Sequence, residues 1–139
     1  MNFSQTQNKK YLLRKKFNLP FYTVTEEVMN AVTHGLGVVF SVVAYVLLLQ
    51  KYVHNSADVL CITVYCASLF ILYTVSTVYH ALKVGKTKAL FRKFDHCSIF
   101  VLIAGTYTPL CVMYINGPFS NIVLVGVWAA AIVGIVLNA

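Results

Sequence analysis

The spacing of charged residues constrains this chain more than any other feature. Four acids and eleven bases are spread over 139 residues, and they leave long gaps. No charge falls between Glu27 and Lys51, a run of 23 residues, or between Asp58 and Lys83, a run of 24. After Asp95 none occurs again, and the turn-forming Asn116-Gly117-Pro118 divides that tail into stretches of 20 and 21 residues. A helix of about 20 apolar residues crosses the ~30 Å hydrocarbon core of a bilayer. The chain is 59% hydrophobic and 11% charged, against roughly 45–50% and about 25% in soluble domains. The expected fold is therefore all-α, a polytopic integral membrane helix bundle. Its four transmembrane helices are placed at about 24–50, 58–82, 95–115 and 119–138, in a membrane domain 23–139 behind a basic arm of residues 1–22.

A net charge of +7 would suit a nucleic-acid binder. Here the bases flank hydrophobic spans, so the expected partners are membrane lipids, with anionic headgroups met by the basic arm and the 83–93 loop, and no nucleic acid. A cleaved secretory signal is not expected, because the first apolar stretch is too long for a signal core and contains Asn30 and His34. Cys61, Cys66, Cys97 and Cys111 lie inside the spans without a Cys-x-x-Cys pair and read as reduced thiols. No phosphate-binding glycine loop, Gly-x-Ser-x-Gly elbow or His-Glu-x-x-His motif occurs.

Orientation follows from the bases near the span ends. Ten of the eleven fall in the arm and in the second connection, which an alternating four-span chain puts on one side. Both termini are therefore expected in the cytoplasm, and the membrane is expected to be the plasma membrane. In the arm, Leu12, Leu13 and Phe17 interleave with the bases. That pattern suits either a short interfacial helix or a disordered basic tail, and the tail is the favoured reading. Thr23 and Glu26 match a capping box that starts the first span near position 24.

Polar residues inside a membrane are costly and are functional candidates by default. Here they gather at one depth. The first span begins with Glu27, Asn30 and His34 at i, i+3 and i+7, on one helix face. The second ends at the same side with Ser76 and His80, and the third begins there with Asp95, His96 and Ser98. His80 with Asp95, flanking one short connection, suits a metal ligand and a water-orienting acid. Zinc takes three or four protein ligands, so the residues alone define a polar site of open chemistry. Elsewhere, Gly126, Ala130 and Gly134 form a small-residue face that invites close helix approach and homo-oligomers. Ala104-Gly105 and Pro109 predict close contact and a kink in the third span. Trp128, in mid-span, is assigned to the core.

These same stretches resemble the haemolysin III family, relatives of the progestin and adiponectin receptors. The residues that carry the resemblance are Glu26-Glu27-Val28-Met29-Asn30-Ala31-Val32-Thr33-His34-Gly35, then Ser76-Thr77-Val78-Tyr79-His80, then Phe94-Asp95-His96 running on to Ala104-Gly105-Thr106-Tyr107-Thr108-Pro109. The resemblance implies a seven-helix fold with a cytoplasmic N-terminus, of which four helices are present. It also implies that His80 is a zinc ligand, that Asp95 holds the zinc-bound water and that Ser76 supports the site. Glu27, Asn30 and His34 belong to the first motif without an assigned role. The family's other zinc ligands are a His-x-x-x-His pair in the last helix, which this sequence lacks, so the chain is expected to be shortened and to bind zinc weakly.

Three functions follow as expectations. The resemblance to ceramidases implies zinc-dependent hydrolysis of a lipid amide, or a receptor of that build, in a full-length form. A non-catalytic membrane protein affecting bilayer homeostasis needs only the fold. Cytolysis, which the family name implies, fits least well, because spans that are apolar except at one end do not line a water-filled pore.

Overall fold

The computed structural model describes residues 3–115 and 117–138; Asn116, part of the expected third turn, lies outside them. The described residues form helices α1 (Phe3–Lys16), α2 (Val24–Tyr52), α3 (Ser56–Ala81), α4 (Lys86–Pro109) and α5 (Pro118–Asn138), with a π-helical turn, Leu110–Tyr114, continuing α4. Four segments, α2, α3, α4 with its π turn, and α5, are long and apolar enough to cross a membrane.

Three boundaries have clear causes. Thr23 starts α2 through a complete capping box, its hydroxyl accepting from the Glu26 amide while Glu26 accepts from the Thr23 amide. Asn55 and Asp58 start α3 in the same way, and Asp58 also accepts from the His54 amide at 2.9 Å. Pro109 has no N–H to give to the preceding turn, and the helix beyond it widens, with Ile115 N–H reaching the Leu110 carbonyl at 3.0 Å. The expected kink is thus a π turn. The Ser120 hydroxyl of α5 donates to the Cys111 carbonyl within it.

Two segments differ from the sequence expectation. The arm, read as a tail, is helical over Phe3–Lys16 and folds back at Asn18, the one described non-glycine residue with positive φ. Leu19 N–H bonds the Arg14 carbonyl, which closes that reversal. The third span begins at Lys86 instead of near 95, so residues 82–85 alone connect α3 to α4. The intervening 86–93 stretch carries four bases but otherwise good helix formers, and it continues the helix past the apolar segment.

Each spanning helix packs on its neighbours in the chain: α2 on α3, α3 on α4, and α4 on α5. Every contact contains a glycine over which a side chain closes. A Cβ at Gly37 would stand 2.6 Å from the Tyr73 ring, one at Gly105 2.2 Å from Ser68 Oγ, and one at Gly134 2.5 Å from the Phe100 ring. Polar links add to this, with the Tyr45 hydroxyl 3.0 Å from Thr63 Oγ1 and Trp128 Nε1 donating to Thr108 Oγ1 at 3.2 Å. Of the expected small-residue face, Gly134 alone packs inward; Gly126 has open space around it and Ala130 is exposed. The four cysteines are free thiols.

Candidate functional site at the basic end

The last carbonyls of α3 have no partner within the helix, and in a membrane protein each one left unbonded is costly. Lys88, in the first turn of α4, meets that need. The short connection turns its side chain back under α3, where Nζ donates to the carbonyls of Tyr79 (2.9 Å), Leu82 (3.1 Å) and His80 (3.3 Å). The same ammonium lies 2.9 Å from Glu27 Oε1 and 4.8 Å from the Tyr79 ring centre. Its side chain is 3% exposed.

Glu27 is the centre of the cluster. One carboxylate oxygen faces Lys88, with Arg14 at 3.7 Å, and the other lies 2.8 Å from His80 Nδ1. A carboxylate oxygen accepts, so the hydrogen of this contact is assigned to His80 Nδ1. In that tautomer the ring keeps a lone pair on Nε2. Arg14 also donates to the carbonyls of Pro20 and Tyr22, which pins the end of α1 over the start of α2. Arg92 from α4 reaches the Asn18 carbonyl in the same reversal. Four helices thus meet at Glu27: α1 through Arg14, α3 through His80 and α4 through Lys88.

The other sequence-predicted residues surround this core. Ser76 is buried one turn before His80. His34, two turns after Glu27, sets its ring edge-on to His80 with centres 6.1 Å apart, and edge-on to Tyr73 at 5.8 Å. Its Nδ1 is buried and has no hydrogen-bond partner among the described residues. Asn30 is half-buried on the same stretch, and its carbonyl accepts from the Thr33 hydroxyl. Among the described residues no hydrogen bond or ion pair joins Asp95 to His80; its carboxylate lies 4.0 Å from His96 Nδ1. The Tyr79 ring lies 4.7 Å from that of His80.

Arg14 and Lys88 escape a sequence reading, because bases beside apolar spans read as headgroup contacts. The usable signal for Lys88 is a base two residues after Lys86 that must lie close to the end of α3 once the connection is short.

A zinc centre is not built from these residues alone. No group of three or more His, Cys, Asp or Glu side chains among the described residues is placed to hold a metal ion. His80 is oriented by a carboxylate as many metal-bound imidazoles are, but the further donors that zinc requires are not grouped around it among the described residues.

Residues 22–139 match the Haemolysin-III related family. Over 117 residues the chain is 41% identical to a protein named Hemolysin-3 from Bacillus cereus, covering 83% of this chain and 53% of that relative. Over 119 residues it is 41% identical to the Hemolysin-3 homolog of Bacillus subtilis (strain 168), covering 84% of this chain and 56% of the relative. The chain therefore spans about half the length of the curated relatives it matches. No solved structure matches it.

Proposed function

The chain belongs to the haemolysin III family of integral membrane proteins, and from that premise we propose that its basic end is a lipid-directed site in which His80 is the reactive group and Glu27 its positioning residue. The observation that carries this reading is the buried Glu27–His80 contact of 2.8 Å. A carboxylate that fixes the imidazole tautomer leaves Nε2 basic, as a proton acceptor or a donor atom toward a ligand. Ser76, one turn away, and Asp95, on α4, are the neighbours proposed to orient the polar part of a lipid. Hydrolysis of a lipid amide is the proposed reaction, and the basic end is proposed to face the cytoplasm across the plasma membrane. Zinc dependence would need donors in addition to His80, so no step is assigned to the metal. Cytolysis has less support, since the outward surfaces of α2 and α5 are apolar along their length.

A second reading has its own observation. Both oxygens of Glu27 and the ammonium of Lys88 are bonded within the cluster, which suits a structural pin in a non-catalytic membrane protein. A hybrid separates the two, with this chain replacing the matched segment of the Bacillus subtilis homologue. Zinc content and hydrolysis of an N-acyl lipid that both fall on His80→Ala, with thermal stability kept, support the site. A stable, inactive hybrid whose zinc content ignores His80→Ala supports the pin. For orientation, a cysteine replacing Gly85 should resist an impermeant thiol reagent in intact cells while one replacing Asn55 reacts; the opposite pattern would invert the topology.

A further inference from the structure

A cleft of about 630 Å³ lies between α1 and the adjoining ends of α2 and α3. Its charges are unbalanced. Lys9, Lys10, Arg14, Lys83 and Lys88 line it, against the single carboxylate of Glu27. Arg14 and Lys88 are committed to Glu27 and to backbone carbonyls, but Lys9, Lys10 and Lys83 are exposed and have no ion pair among the described residues. The cleft therefore presents surplus positive charge at its mouth.

Its walls are apolar. Leu13 of α1 faces it, and so do Val24, Val28 and Val32 of α2. These three valines fall at i, i+4 and i+8, so they form one stripe along the helix. They are 68%, 54% and 54% exposed, and the stripe leads from the cleft down the side of a membrane-spanning helix. A pocket that is basic at the top and continuous with an apolar track along the bilayer normal is complementary to one kind of molecule, an amphiphile with an anionic head. A soluble anion would leave the track unused, and a zwitterionic lipid would leave the three lysines uncompensated.

We propose that this cleft seats the phosphate of an anionic phospholipid from the surrounding leaflet, with an acyl chain along Val24, Val28 and Val32. The phosphate bridges Lys9 and Lys10 of α1 to Lys83 of the α3–α4 connection, so the lipid fastens α1 onto the spanning helices. The seat shares Glu27 and His80 with the site above but needs no chemistry there, so each can fail without the other.

The test uses the full 139-residue chain in neutral detergent, titrated separately with dioctanoyl phosphatidylglycerol, dioctanoyl phosphatidylcholine and inorganic phosphate, with binding read from the shift in thermal unfolding. Phosphatidylglycerol should bind at least about tenfold more tightly than either of the others. Lys9→Gln with Lys10→Gln should weaken it about tenfold or more, whereas Lys15→Gln with Lys16→Gln, the same charge loss on the same helix outside the cleft, should change it by less than about twofold. All four lysines are exposed, so neither pair threatens folding. Equal losses in the two pairs would show diffuse attraction and overturn the seat. Phosphatidylcholine as tight as phosphatidylglycerol would overturn the charge argument, and phosphate as tight would overturn the apolar track.

Discussion

The two ends of α3 solve the same problem by different means. At its start, the side chains of Asn55 and Asp58 accept from the amides of His54, Asn55 and Asp58, all within five consecutive positions of sequence. At its finish, the free carbonyls are taken by Lys88 from the next helix, which is itself neutralised by Glu27 from the previous one, with Arg14 and His80 completing the set. A local cap stabilises one helix. A cap built from four segments also joins those segments, and it places an oriented imidazole where they meet. The difference explains why one end of α3 is merely closed while the other draws polar side chains from four segments together.

The largest effect that this contrast predicts is at Glu27. Glu27→Ala leaves two buried cations opposite no carboxylate and should cost about 3–5 kcal/mol, measured by unfolding in mixed detergent micelles. It should also free α1, read as faster proteolysis near Asn18. A loss no greater than that of a surface change would make the basic end an ordinary cap. Next comes the helix contact beneath the cluster. Gly105→Ala puts a Cβ 2.2 Å from Ser68 Oγ and should cost about 1–3 kcal/mol, whereas Gly126→Ala, with nothing within 4 Å, should stay within about 0.5 kcal/mol. Equal effects would mean that α3 and α4 do not approach over Gly105. At the local end, Asp58→Ala should cost only about 1 kcal/mol and leave proteolysis near Asn18 unchanged.

Local features were legible in the sequence, and those that depend on distant partners were not. The four spans follow from uncharged runs, and the α2 start from Thr23 and Glu26. The gathering of Glu27, His34, Ser76 and His80 follows from their depth along the spans. The start of α4 was hidden because four bases in 86–93 lower hydropathy without breaking a helix. The choice of Glu27 over Asp95 as the carboxylate beside His80 depends on how α2 rotates against α3, which packing such as Tyr73 over Gly37 helps to set. Depth along the membrane can be counted from the chain ends of each span; rotation about the helix axis cannot. For the same reason α1 was open between tail and helix. Its anchorage depends on Arg14 finding Glu27, a contact between segments that neither announces alone.

The central claim is that the basic end is one coupled unit, and a double-mutant cycle on Glu27 and Lys88 tests it most directly. Unfolding free energies of the original chain, Glu27→Gln, Lys88→Met and the double variant would be measured in the same micelles. The account predicts a coupling of about 1–3 kcal/mol, with the double variant losing less than the two single losses combined. Single losses that add to within about 0.5 kcal/mol would mean that the two side chains do not act together, and would contradict it.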